Sequence, residues 1–260
     1  MMRFCSLGSG SSGNATIVEG SEGITTTRVL VDCGFTQREL AARLARASLA
    51  LDDIDAIFVT HEHGDHVGCS VALAKRHRIP VWMSRGTWRA VGQPELPAGL
   101  LHFARDGEDI VVGDLQIAPY TVPHDAQEPL QPCFSDGAFR LGVLTDAGSA
   151  TTHLLAQLQG CHALLLECNH DVQMLEQGPY PWPLKRRVGG PRGHLANEQA
   201  AAILRACRHD GLRHVVAAHL SRQNNRPELA AATIAAVLAT RPDDIVVADA
   251  FGGTPWLGLR

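Results

Sequence analysis

Short apolar runs, many of them β-branched, recur along the chain between clusters of Gly, Pro, Asp and Asn. They predict strands near residues 2–6, 14–19, 28–32, 55–59, 79–83, 109–112, 115–121, 139–144, 162–168, 213–218 and 244–248. Helical patterning interleaves with them. Thr36-Gln37-Arg38-Glu39 has the form of a capping box opening a helix to about residue 47. Asn197 is placed to cap the Ala-rich stretch to Cys207, and Pro227 suits the first turn of the stretch to Thr240. The Gly- and Pro-rich stretch 178–193 reads as a long loop over the active face. No fixed repeat or low-complexity linker is visible. The pattern predicts two mixed sheets flanked by helices, in one domain spanning residues 1–260.

Composition narrows this picture. A chain of 260 residues can bury about 70–75% of its unfolded surface, so a full core is expected. An apolar fraction of 45% and a charged fraction of 19% are ordinary for a soluble enzyme. No transmembrane run or secretory segment is present, and Met1-Met2-Arg3-Phe4-Cys5 leads straight into a strand. Seven cysteines without a Cys-x-x-Cys pair predict reduced thiols and a cytoplasmic protein. The net charge of −4 offers no global attraction to nucleic acid, so polyanion binding must come from local patches or metal ions.

The candidate chemistry starts at Thr60-His61-Glu62-His63-Gly64-Asp65-His66, directly after the apolar run 54–59. In an extended stretch alternate side chains point the same way, so His61 and His63 can converge on one point. Gly64 lets the backbone bend and aim Asp65 and His66 at a second point nearby. Four donors split over two adjacent points suggest a pair of metal ions, and imidazole with carboxylate suits Zn, Mn or Fe. A solvated turn is the bland alternative, though three histidines at this spacing behind a buried strand argue against it. A helical zincin motif fails, because His63 and Gly64 follow Glu62 where that pattern needs its second His later. Cys69, just behind the cluster, reads as a small packed hydrophobe and not a ligand.

Three further donors end strand-like runs, where sites are commonly assembled: His124, Asp146 and His219. Alone, each has a structural reading, as a hydrogen-bonded His or, for Asp146, as a turn cap. Together with the first cluster they supply the donors a two-metal site lacks. Gly8-Ser9-Gly10-Ser11-Ser12-Gly13 matches the dinucleotide pattern G-x-G-x-x-G, but the β-rich run 14–19 follows it. That pattern needs a helix presenting its amide end to a pyrophosphate. The glycines are therefore expected to form a tight loop between two strands.

The chain resembles the metallo-β-lactamase-fold hydrolases through Leu30-Val31-Asp32-Cys33-Gly34, the His61–His66 cluster, Pro123-His124, Thr145-Asp146-Ala147-Gly148 and Ala218-His219. The resemblance implies an α+β fold, a four-layer αββα sandwich with a dinuclear site at its edge. It implies that His61, His63 and His124 hold one metal while Asp65, His66 and His219 hold the other. Asp146 would bridge them, and Asp32 would brace the His-rich loop. Within that superfamily the chain is most similar to the YycJ-type (WalJ) branch of DNA exonucleases. The matching segments are Leu7–Ala15, Glu167-Cys168-Asn169-His170-Asp171, Gly178-Pro179-Tyr180-Pro181, Leu184–Val188, Gly193–Asn197 and His219–Asn225. It departs from the pattern at Cys69, where Gly is usual, and at Ala196, where Ser is usual. No helical insert of the β-CASP kind is evident.

Charge favours a phosphate substrate. Two divalent cations outweigh Asp65, Asp146 and a bridging hydroxide, so the core stays positive despite the acidic chain. Such metals activate water near neutral pH and neutralise phosphoryl oxygens. His194 is the candidate general acid for the leaving oxygen; a structural or helix-entry role is the alternative. Asp65 joins it among the catalytic candidates, as does His170, which ends a strand-like run and is placed to touch substrate phosphate or orient a ligand. Lys185, Arg186, Arg187 and Arg192, with Tyr180 and Trp182 upstream, fit phosphate contact and base stacking; Arg222 and Arg226 extend that surface. A solvated basic loop is the alternative. The expected function is a two-metal phosphodiesterase, most concretely a 5′-to-3′ DNA exonuclease, with nucleic acid as partner, no membrane, and a homo-oligomer left open. The rivals are a small cyclic or dinucleotide phosphodiesterase and a thioester, lactone or β-lactam hydrolase of the same fold.

Overall fold

The computed structural model describes residues 1–260. The first half builds β1 (Met2–Gly8), β2 (Ala15–Ser21), β3 (Thr26–Val31), β4 (Ala56–Phe58), β5 (Val81–Met83) and β6 (Leu101–Phe103). The second half builds β7 (Ile110–Val112), β8 (Leu115–Thr121), β9 (Leu130–Ser135), β10 (Arg140–Leu144), β11 (Ala163–Glu167), β12 (His214–Ala218) and β13 (Val246–Val247). The last strand, β14 (Leu257–Leu259), returns to the first sheet. The two sheets have seven strands each, ordered β14-β1-β2-β3-β4-β5-β6 and β13-β12-β11-β10-β9-β8-β7.

Helices cover both outer faces. On the first sheet lie α1 (Gln37–Arg46) and α3 (Ser70–His77), with α2 (Gly64–Val67) at the sheet edge and α4 (Arg85–Ala90) after β5. The second half adds α5 (Thr152–Leu158), α6 (Val172–Gln177), α7 (Trp182–Val188), α8 (Asn197–Cys207) and α9 (Pro227–Leu238). Strand alternation sends successive side chains to opposite faces, and the buried apolar residues accordingly form three clusters. Phe4, Val29, Phe134, Leu141 and Leu165 fill the space between the sheets. Ile17 and Leu30 meet Leu40, Leu44 and Leu73 on the first outer face. Leu164 and Leu166 meet Leu154, Leu158, Ile203, Leu204 and Ile234 on the other. Three apolar interfaces separate four layers, the αββα sandwich expected. No helix is long and apolar enough to cross a membrane.

A repeat invisible as a sequence period exists in the pairing. β1-β2-β3 are antiparallel and β3-β4-β5-β6 parallel. In the other sheet β8-β9-β10 are antiparallel and β10-β11-β12-β13 parallel. At matching places, just after β3 and just after β10, stand Asp32 and Asp146, with φ of 60° and 51°. Left-handed backbone costs a non-glycine residue on the order of 1–3 kcal/mol, least for Asp and Asn, and recurs at functional sites.

Several expectations change. The stretch 178–193 is not one loop: α7 lies inside it, with Pro183 at its first turn, where a fixed φ and a missing N–H cost nothing. Asn197 does not cap α8. Ala196 occupies that position, and Gln199 accepts its backbone N–H, while Asn197 exchanges amide hydrogen bonds with Asn225. β9 is absent from the predicted strands, and it carries Pro132. Pro132 pairs with Pro119 across β8–β9, and the ladders on their other sides end at Cys133 and Ile117, so neither ring removes a needed donor.

Close backbone approach fixes the turn after β3. A Cβ on Gly34 would lie 1.8 Å from the Asp65 carbonyl oxygen and 2.7 Å from the Asn14 nitrogen. Gly34→Ala is therefore expected to push the His61–His66 segment outward and destabilise the chain by at least about 1–3 kcal/mol. Chemical unfolding would measure this, and an unchanged midpoint would show that the segment yields freely.

Candidate metal centre

The fully buried strand β4 delivers Val59 and Thr60 to the sheet edge, where His61 is completely buried. Gly64 opens the single turn α2, with the N–H groups of His66 and Val67 both donating to the His63 carbonyl at 2.9 Å. Asp65 and His66 therefore sit on a helical turn, not in an open loop. The glycine-rich turn between β1 and β2 supports this edge. Asn14 donates its backbone N–H to the Asp65 carbonyl (2.8 Å), and Ser9 Oγ accepts the His219 N–H (2.8 Å). As expected, that turn joins two strands.

His61, His63 and His124 offer donor atoms that all lie within 4.8 Å of one another, as do Asp65, His66 and His219. His63 Nδ1 is 3.1 Å from His61 Nε2 and 3.3 Å from His124 Nε2. Asp65 Oδ2 is 3.7 Å from His66 Nε2 and 3.8 Å from His219 Nε2. Ligand bonds of ~2.0–2.1 Å in a tetrahedral shell place donors about 3.3 Å apart, so these spacings suit cations. Asp146 lies between the sets, its Oδ2 2.8 Å from His66 Nε2. Yet Asp146 Oδ2 and His219 Nε2 are buried without a hydrogen-bond partner. Buried polar atoms are normally satisfied, and divalent cations would satisfy these.

The outward ring nitrogens are held. His66 Nδ1 donates to Asp32 Oδ2 (2.7 Å), and the same carboxylate accepts the Thr60 N–H and hydroxyl. His124 Nδ1 donates to the Gly193 carbonyl (3.0 Å), and His219 Nδ1 to Glu167 Oε1 (3.2 Å). Each such bond turns the opposite nitrogen's lone pair inward. Charge follows geometry. Against their burial, Asp146 raises both His66 and His219, the latter to about 9. Against its own burial, Asp146 is held well below the usual carboxylate range by His219 and His66. Burial lowers His61 well below the usual imidazole range.

Glu167 is the residue sequence reasoning missed. It ends the fully buried run Ala163–Glu167 and is itself wholly buried. Its Oε1 accepts from His194 Nδ1 at 2.8 Å, and its Oε2 from the Ala147 N–H at 2.8 Å. One carboxylate thus orients His219 and His194 together. The signal was present, since a carboxylate closing an apolar strand is costly unless paired.

A groove of about 400 Å³ beside the donors is bordered by Asp65, Asp125, Asp146, Arg187, His194 and His219, among others. Arg187 Nε donates to Asp125 at 2.5 Å. Of the expected basic residues Arg187 alone borders this groove. Lys185, Arg186 and His170 line an adjoining cavity, Arg192 is exposed, and Arg222 lies over the Phe251 ring in a separate cleft. Burial lowers His170 to about 4. Cys69 is half-buried, with its sulfur 3.2 Å from that of Cys33.

Residues 27–220 match the model of the beta-lactamase superfamily domain, and the chain belongs to that family. The fold agrees. The metallo-beta-lactamase fold protein YhfI from Bacillus subtilis superposes with a TM-score of 0.76 at 14% identity, covering 98% of each chain. The short form of human tRNase Z gives 0.67 at 15% identity, covering 99% of each. At the level of sequence the chain is similar to exodeoxyribonuclease YycJ of Bacillus anthracis, 34% identical over 91% of this chain and 89% of the relative. It is 31% identical to exodeoxyribonuclease WalJ of Streptococcus pneumoniae, over 91% and 88%.

Two outcomes follow from this geometry. Glu167→Gln keeps the shape but loses the charge that orients two imidazoles, and should weaken metal retention by about 10–100-fold, read by metal analysis after dialysis against a chelator. Equal retention would leave Glu167 a purely structural residue. Because His219 is raised to about 9, at neutral pH its metal-free imidazole carries a proton that a cation must displace. Metal affinity should therefore strengthen as pH rises from about 6 to 8 with proton release, measured by calorimetry in buffers of different ionisation enthalpy. A pH-independent affinity would contradict this.

Proposed function

We propose that the chain is a metal-dependent phosphodiesterase acting on nucleic acid, specifically a DNA exonuclease. One observation carries the reading: seven His and Asp donors meet beside an open groove, in a chain that aligns over 91% of its length with exodeoxyribonucleases. We assign two cations. His61, His63 and His124 would hold one, Asp65, His66 and His219 the other, with Asp146 shared between them. Zn or Mn suits this donor set, and Fe is compatible with it. Bound there, the cations supply a water-derived nucleophile at neutral pH and offset charge on the phosphoryl oxygens.

The protein's own groups do the rest. Asp32, Glu167 and the Gly193 carbonyl fix the ring orientations. Arg187, tied to Asp125, lends the groove wall a cation for a phosphate. His194 borders the groove with Nδ1 held by Glu167, so Nε2 is left for substrate. Against burial, Glu167 and Asp146 raise His194 to about 11. We assign it to deliver a proton to the leaving oxygen through that free nitrogen.

End-labelled DNA, RNA and bis-p-nitrophenyl phosphate, each with Mn or Zn, test this directly. Shortening of DNA is expected; hydrolysis of the small ester alone would favour a small-molecule phosphodiesterase. Asp146→Ala should lose metal and activity together. His194→Ala should keep metal while turnover falls by about 10²–10⁴, and wild-type turnover in that variant would remove His194 as the acid.

A further inference from the structure

Helix α7 has two working faces. Leu184, Arg187 and Val188 border the metal groove, while Trp182, Lys185 and Arg186 border a second cavity of about 770 Å³. The two spaces are separated by one helix, about 10 Å across. The far wall is the start of α8, on the segment that carries His194, and His170 closes the floor. His170 is 3% exposed, and its backbone is pinned by the Asn197 N–H at 2.9 Å. Its Nδ1 is buried away from solvent without a hydrogen-bond partner, while Nε2 lies toward Gly189, which lines the same cavity.

The lining fits a flat, uncharged ring better than a phosphate. Val172, Leu175 and Ala196 make it largely apolar. Its cations are matched by Glu176 and Glu198, and the Lys185 ammonium donates to the Glu176 carbonyl at 2.6 Å. Trp182 remains 65% exposed, with the Arg186 guanidinium 4.6 Å from its ring centroid. An exposed indole braced by arginine is a stacking platform that accepts any base.

We infer that this cavity is a nucleobase pocket, taking the base of a nucleotide that adjoins the scissile phosphodiester, stacked on Trp182 with its edge toward His170 Nε2. The pocket rests on the phosphodiesterase reading for its substrate, and deepens it by naming what holds the strand across α7.

Equilibrium binding of a 5′-phosphorylated deoxyadenosine dinucleotide with a non-hydrolysable methylenephosphonate linkage to the metal-loaded protein tests it, with an abasic and a terminally dephosphorylated analogue beside it. The intact dinucleotide should quench tryptophan fluorescence and the abasic analogue should bind about tenfold more weakly. Trp182→Ala should erase that difference, and Trp182→Phe should lose the quench yet bind within a few-fold by calorimetry. Because Trp182 is an exposed side chain, neither variant threatens the core. Equal binding of the abasic analogue would overturn the proposal. So would loss of binding on removing the terminal phosphate alone, which would mark a phosphate pocket. DNA shortening without base-dependent binding would sink the pocket and spare the nuclease; base-dependent binding without shortening would do the reverse.

Discussion

Everything about this fold turns on a set of buried donors aimed at one another. His63 Nδ1 stands 3.1 and 3.3 Å from His61 Nε2 and His124 Nε2, and Asp146 Oδ2 is buried without a hydrogen-bond partner. Alone, such a cluster is expensive, because buried polar groups without partners cost several kcal/mol relative to water. The surrounding structure nonetheless enforces it. Asp32, Glu167 and Gly193 each take an outward N–H, which fixes His66, His219 and His124 with their other ring nitrogens turned inward. Rigid unsatisfied donors of this kind are what a cation requires, and their cost is offset when it binds.

The doubled sheet explains how distant residues reach that point. Each half runs from an antiparallel meander into parallel strands, and each places an Asp in left-handed backbone where the meander ends. In the first half that Asp holds the ring of His66; in the second it stands among the clustered donors. His219, just after β12, shares the left-handed geometry with a φ of 56°. Parallel strands end on the same side of a sheet, so their terminal residues collect along one edge. Packing of three apolar interfaces sets the position of that edge, and the helices leave it open on the side where α7 stands.

Much of this was legible in the sequence, for identifiable reasons. Four donors in six residues behind a buried strand can hardly be a solvated turn, and His124, Asp146 and His219 announce themselves by ending apolar runs. The β-rich stretch after the glycine motif correctly marked a strand-to-strand turn. Glu167 carried the same signature and was passed over, because its partners lie 27 and 52 residues away and no local pattern names them. Proline misled at α7, whose Gly- and Pro-rich surroundings read as a loop although Pro183 falls in the first turn, where no N–H is needed. Asn197 looked like a cap and is instead half of a buried amide pair. Where Lys185, Arg186 and Arg187 point depended on α7 being a helix. The helix sorts Lys185 and Arg186 to one cavity and Arg187 to the other.

Anomalous X-ray scattering at the Mn and Zn edges, from crystals of protein supplied with these ions, addresses the central claim most directly. Two peaks are expected, one enclosed by His61, His63 and His124 and the other by Asp65, His66 and His219, with Asp146 between them. Absence of ordered metal, or a lone peak seated against Glu167 and His194, would contradict the account.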